Sequence, residues 1–259
     1  MNRERFRFFT SVFRESDLHI GVPHRDFRSG MAQHALQEQK RLYRLLYTYA
    51  DQHPLFLTSL EPLPFPDGSG VTSRGSDLIA GDNVPCEDKD IPQPEIAEML
   101  RCGIRTGTGP MSSVAGMFAE AVAKRLLDAF TPGELVVENG GDLFILNRNE
   151  LVTMIHAGGS PISGKLGITL PGGTWGVCTS SGTLGHSFSR GKADAVTVVS
   201  RNTSMADAWA TALGNRIKGE EDIDPLLDEV TGIPEVLACV VVFGEKIGIR
   251  GTFEVKLLS

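Results

Sequence analysis

Ser204-Met205-Ala206-Asp207-Ala208-Trp209-Ala210-Thr211-Ala212-Leu213-Gly214 is the stretch on which the reading of this chain turns. It follows the β-branched run Ala195-Val-Thr-Val-Val-Ser200, so the pattern predicts a strand, a short turn and a helix with Ser204 as N-cap. Asp207 and Thr211 are spaced i,i+4, which on a helix stacks a carboxylate and a hydroxyl on one face near the positive N-terminal end. Two hard oxygen donors at that place suit a metal ion. Ser-x-x-Asp is also close to a capping box, in which the acid satisfies a free backbone N–H of its own helix. Spacing alone leaves both readings open.

The rest of the chain supplies an ordered set of further signals. Gly103-Ile-Arg-Thr-Gly107-Thr108-Gly109-Pro-Met-Ser112-Ser113 runs into an apolar helix, Val114 to Phe130. Glycines and hydroxyls that end at a helix N-terminus suit a phosphate, though no Lys stands in register for a Walker loop. Leu135-Val-Val137 and Leu143-Phe-Ile-Leu146 flank Asn139-Gly140-Gly141-Asp142, a hairpin signal whose glycines also let a ligand approach the backbone. Lys165 to Leu170 and Thr174 to Cys178 are expected to pair across Pro171-Gly-Gly173, and the second strand delivers Thr179-Ser180-Ser181-Gly182 and His186. A Ser and a His this close suggest a hydrolase, but no G-x-S-x-G elbow or orienting acid accompanies them.

Ala206-Asp207-Ala208-Trp209-Ala210-Thr211-Ala212-Leu213 resembles the A-D-A-x-A/S-T-A-L signature of the ApbE family, Asn139 to Asp142 its GGD segment, and Thr179 to Gly182 its (T/S)SG segment. The chain looks most like a short, uncharacterised ApbE-like branch found in bacteria and archaea. The resemblance implies FAD and Mg²⁺, with Asp207 and Thr211 as metal ligands and catalytic residues. A carbonyl from the Gly107 to Ala115 region would be a third ligand. It further implies that Gly107, Thr108, Gly109, Ser112, Ser113, Gly140, Gly141, Asp142, Ser180, Ser181 and Gly182 contact the cofactor. The activity implied is FMN transfer to a hydroxyl of an acceptor protein, or FAD hydrolysis. Two family features are missing: the Lys of G-K-G at the helix head, where Met111 to Val114 stand, and the H-x-x-D-P-x-T-G insertion, replaced by Thr183 to Asp194. The alternative is a non-catalytic flavin- or nucleotide-binding protein, or a sulfur-metabolism accessory, that has lost the acceptor site.

Composition bounds these readings. The 259 residues, 41% hydrophobic and 22% charged, are ordinary for a globular protein. A net charge of −7 argues against a nucleic-acid or anionic-membrane partner. The Arg3, Arg5, Arg7 alternation reads as one solvated face of a strand. Cys86, Cys102, Cys178 and Cys239 form no C-x-x-C pair and are expected to be reduced, Cys239 in the core. No signal-like or long apolar segment occurs, so a cytoplasmic location is expected.

The remaining pattern gives the architecture. Residues 4 to 22 read as a β-hairpin around Arg14-Glu-Ser-Asp17, and Met31 to Asp51 as an amphipathic helix with His34 at its edge. Pro54 to Pro94 holds seven of the fourteen prolines and reads as an irregular excursion. A short helix, Glu95 to Arg101, is expected to close at Gly103, and another to run from Asp222 to Thr231. Val236 to Phe243 and Lys246 to Ile249 form a hairpin, and Phe253 to Leu257 a last strand. The expectation is one α+β domain over 1–259: a largely antiparallel sheet packed with helices on one face, resembling the T-fold-like ApbE arrangement. A broad sheet leaves room for a homodimer.

Overall fold

The computed structural model describes residues 4–66, 92–182 and 191–258. Arg3, Cys86, His186 and most of the Pro-rich excursion lie outside the described residues. At the N-terminus, β1 (Phe6–Phe13) and β2 (Ser16–Pro23) pair around Arg14-Glu15, where Arg14 takes φ 53° to close the tight turn. Arg7 is exposed, as a solvated face requires, and Arg5 is half-buried. Arg5 is gripped by the Glu134 carboxylate and the carbonyls of Asn149 and Glu150, and Arg7 covers the Phe27 ring at 3.6 Å. Both guanidiniums find partners that lie far away in sequence or on another segment, which a local alternation cannot reveal.

Helix α1 (Met31–Gln52) buries Met31, Ala35, Leu42 and Leu46 at helical spacing, and His34 sits at its edge against Phe130. Helix α2 (Pro94–Thr106) runs past the expected stop. Gly103 is an interior packing position, where a Cβ would stand 2.8 Å from the Thr108 carbonyl oxygen, and the helix ends instead at Gly107 with φ 74°. A 3₁₀ turn, Pro110–Ser113, leads into α3 (Val114–Phe130), as the sequence pattern predicts.

Strands β3 (Leu135–Asn139) and β4 (Asp142–Asn147) form the hairpin around Gly140-Gly141, whose φ values of 62° and 105° require glycine. Then come β5 (Leu151–Ile155), β6 (Leu166–Leu170), β7 (Gly173–Ser180), β8 (Ala195–Ser200) and α4 (Thr203–Gly214). Helix α5 (Ile223–Val230), β9 (Ala238–Phe243), β10 (Lys246–Gly251) and β11 (Val255–Leu257) complete the order. The main sheet is eight-stranded, in the order β1-β2-β3-β4-β7-β8-β9-β10, and antiparallel throughout. The fold is α+β, as expected.

One expected pairing is wrong. Strand β6 does not join β7 across Pro171-Gly172-Gly173; it pairs with β5 and β11 in a separate three-stranded sheet, while β7 pairs with β4 and β8. The physical reason is that this corner is pinned to the end of β4. The Asn147 amide donates to the carbonyls of Leu170 and Pro171, and Gly172 packs so closely that a Cβ would meet the Arg148 carbonyl at 2.5 Å. The chain therefore steps from one sheet to the other instead of folding back.

The second sheet covers the face of the main sheet away from the helices. Leu135, Val137, Phe144, Cys178, Val196 and Val198 point to the helical layer. Val136, Ile145, Trp175, Val177 and Val199 point to Ile155, Ile168 and Leu170 of the small sheet. Burial on both faces explains why β8, Ala195-Val-Thr-Val-Val-Ser200, has no exposed residue.

Candidate functional site

The site is assembled where the first turns of α3 and α4 meet β7 and the β3–β4 turn. Asn202, not Ser204, caps α4: its side-chain oxygen accepts the Met205 N–H at 2.7 Å, and Ser204 lies inside the first turn. Two distant carboxylates reinforce that end. Glu120 accepts the Thr203 N–H at 2.8 Å, and Glu98 accepts from the Asn202 amide at 2.9 Å. Glycines then let the layers close up. A Cβ on Gly116 of α3 would stand 2.5 Å from the Thr203 carbonyl, and one on Gly176 of β7 would stand 2.5 Å from the Thr203 Cα.

This close approach carries Asp207 onto the head of α3. Its carboxylate accepts the Gly116 N–H at 2.8 Å, so it caps a neighbouring helix rather than its own. Asp142 arrives from the end of the Gly140-Gly141 turn and accepts the Thr179 N–H at 3.3 Å. Burial raises the Asp142 carboxyl to about 7, opposed by the neighbouring Cys178 side chain and by the hydrogen bond from the Thr179 N–H. Burial and the charge of Asp142 push Asp207 well above the usual carboxylate range, against the pull of the Gly116 and Ala115 backbone. Cys178 is also raised, first by burial and then by Asp142 and Asp207, and it donates to the Thr203 carbonyl at 3.4 Å. Among the described residues no Lys or Arg pairs with either aspartate. Burial therefore drives the two carboxyls towards their neutral form, and a cation supplied between them would reverse that.

Beside it lies a cavity of about 520 Å³ into which Ala115, Asn139, Gly140 and Asp142 open. Its far wall is aromatic. Tyr43 and Tyr47 stand one turn apart on α1 with rings 16° from parallel, and Phe118 meets Tyr43 edge-on at 5.1 Å. The Tyr43 hydroxyl donates to Glu15 at 2.9 Å; burial first, and then that carboxylate, raise it to about 12. Asn139 fixes the near wall by donating to the Ala115 carbonyl at 3.2 Å.

The residues singled out in the sequence divide into groups. Asp142 lies close enough for its charge to act on Asp207, and Thr211 lies half-buried one turn further along α4. Gly107 is the C-cap of α2. The Thr108 hydroxyl is engaged with Thr106 and with Ser112, each at 2.7 Å, and Ser113 donates to the Pro110 carbonyl. Gly109 packs against Ser59, where a Cβ would meet the carbonyl at 1.8 Å. Ser180 reaches the far end of α4, 3.2 Å from where a Gly214 Cβ would stand, and Ser181 and Gly182 follow at the end of β7. The sequence marks Gly116 as part of a small, closely packing helix face with Ala115 and Ala119, and Asn139 as part of the turn, but gives neither a place in the site, and it passes over the Tyr43/Tyr47 pair. The tyrosines carried a local signal in their i,i+4 spacing.

The donors present, two carboxylates with nearby hydroxyl and carbonyl oxygens, are of the hard type that Mg²⁺ takes. Among the described residues no three His, Cys, Asp or Glu side chains cluster, so phosphate or water oxygens would have to complete a coordination shell. No described helix is long and apolar enough to cross a membrane.

Comparison with known proteins adds three findings. A family model described as AbpE bacteria matches residues 1–225. A UPF0280 protein of Methanosarcina barkeri is 36% identical over 222 residues, covering 84% of this chain and 78% of that relative. One of Methanocaldococcus jannaschii is 31% identical over 248 residues, 93% and 88% of the two chains. Among solved structures, the apo flavinyl transferase ApbE of Pseudomonas stutzeri has a TM-score of 0.53 at 15% identity, covering 96% of this chain and 94% of its own. The ApbE protein of Thermotoga maritima has a TM-score of 0.54 at 12% identity, covering 95% and 97%. The fold is shared at identities too low to carry more than the fold.

Proposed function

This chain belongs to the family described as AbpE bacteria, and from that membership we propose that it binds FAD with a magnesium ion and carries out phosphoryl transfer from it. FMN passes to a hydroxyl of an acceptor protein or to water, and AMP leaves. The observation that carries this reading is that Asp142 lines an aromatic-walled cavity and lies near enough to the buried Asp207 for its charge to act there, with no Lys or Arg paired to either among the described residues.

The chain's own groups take distinct parts. Asp207, Asp142 and the Thr211 hydroxyl would hold the metal, which takes few protein oxygens and leaves places for phosphate. Bound there, magnesium supplies charge neutralisation at the pyrophosphate. The Gly116 N–H holds the Asp207 carboxylate in place through a direct hydrogen bond. Tyr43 and Tyr47 offer flat faces to a ring system, and Gly140-Gly141 leave open space above the β3–β4 turn. Ser180 bounds the other end of α4, and Ser181 and Gly182 follow it in the chain.

A non-catalytic flavin carrier is the second reading, and the closed hydroxyl chain Thr106-Thr108-Ser112 favours it, because those groups are already spent on one another. A thiol role has less support: Cys102, Cys178 and Cys239 are buried, and burial pushes each thiol up, Cys239 to about 12.

Titrating FAD against the protein by flavin fluorescence, with and without Mg²⁺, tests the reading. We expect Mg²⁺ to tighten binding in the wild type and to do nothing for Asp207→Asn. Equal FAD affinity with and without the metal in the wild type removes the metal from the proposal, and no binding in either condition removes the flavin.

A further inference from the structure

A second cleft, of about 340 Å³, opens on the face of the main sheet away from the helices, between the start of β7 and the loop joining β10 to β11. Its centre is a prearranged guanidinium. Arg201 lies over the Trp175 indole, 3.8 Å from the ring centre, and Phe253 meets that indole edge-on at 5.0 Å. Gly173 makes the room, since a Cβ there would stand 2.9 Å from the indole and 3.2 Å from the Arg201 guanidinium. The indole N–H is already given to the Pro171 carbonyl, so the ring serves as a platform and not as a donor.

Arg201 spends one N–H on the Thr174 carbonyl at 3.3 Å, and among the described residues no carboxylate pairs with it. A guanidinium has five N–H donors in a planar fork, which matches a carboxylate edge-on. Leu237 and Phe253 supply an apolar wall beside it. The rim sets the charge of the guest. Among the described residues Glu150 and Glu254 share Lys256, at 3.7 and 3.2 Å, so with Arg201 two cations face two carboxylates, and a bound monoanion leaves the cleft one charge negative where a dianion leaves it two.

We propose that this cleft binds a small organic monocarboxylate, with its carboxylate on Arg201 and its apolar body against Leu237 and Phe253. It is separate from the aspartate site, because Trp175 and Cys178 point to opposite faces of the sheet. The chain has two tryptophans, so the full-length protein labelled with ¹⁵N at tryptophan gives two indole signals. Benzoate is expected to move the Trp175 signal saturably and leave Trp209 in place, with benzamide inactive and phenyl phosphate weaker. Arg201→Gln should weaken benzoate at least about tenfold, as loss of a charge-assisted pair does, with the Trp209 signal unchanged. Three results overturn the proposal: no saturable shift with benzoate, an equal shift with benzamide, or tighter binding of phenyl phosphate. The benzoate and benzamide arms decide it on the wild type alone if the variant does not fold.

Discussion

Asp207 sits where water cannot solvate its charge, and one backbone N–H is a partial answer to it. Replacing it with Asn keeps the shape and removes the charge. The metal-free protein should therefore gain about 1 kcal/mol of stability, read as a higher denaturant midpoint, while losing any response to Mg²⁺. Glu134 behaves in the opposite way. Burial pushes its carboxyl up, but the Arg5 guanidinium and the N–H groups of Arg148 and Asn149 outweigh that and hold it below its ordinary value. A carboxylate whose folded value is depressed stabilises the fold above its unfolded value, about 4.3, and that contribution disappears as pH falls through the folded value. Glu134→Ala should cost about 2 kcal/mol near neutrality, and the difference from wild type should shrink in acid unfolding curves. The i,i+4 pair Asp207/Thr211 is legible in the sequence. Its partner is not, because Gly116 lies 91 residues away and no local pattern links a carboxylate to an N–H in the first turn of another helix.

At the scale of elements, the site depends on how closely α3, α4 and β7 pack. Gly116→Ala would press a methyl against the Thr203 carbonyl at 2.5 Å and the Asp207 Cβ at 2.9 Å. We expect a loss of about 1–3 kcal/mol by thermal or denaturant unfolding, with a disproportionate loss of Mg²⁺ response because Asp207 itself is displaced. Asn202→Ala should cost about 1 kcal/mol, the ordinary value of an N-cap. Periodicity and capping residues make α1, α3 and most strands legible in the sequence. The β6–β7 step is not, since Pro171-Gly-Gly173 is good hairpin chemistry. Only the grip of Asn147 and the packing of Gly172 on Arg148 turn it into a corner between sheets. The glycine-rich entry to α3 shows the same limit: its hydroxyls are readable, but not that they bond to each other.

Over the whole molecule, a central antiparallel sheet separates two layers with different tasks. Helices on one face gather the two aspartates and the aromatic cavity, and the small sheet on the other seals the core around Trp175 and Ile168. Fold class and sheet character are legible from alternation and turn chemistry. The second sheet is not, because its strands β5 and β6 carry the same pattern as strands of the first. We propose that the aspartate pair makes this fold an Mg²⁺-dependent enzyme acting on FAD. The most direct test is AMP release from FAD by the purified protein, followed with and without Mg²⁺ and with Asp207→Asn alongside. The account predicts release that requires both the metal and Asp207. FAD bound without AMP release at any Mg²⁺ concentration, or release that Asp207→Asn leaves unchanged, would contradict it.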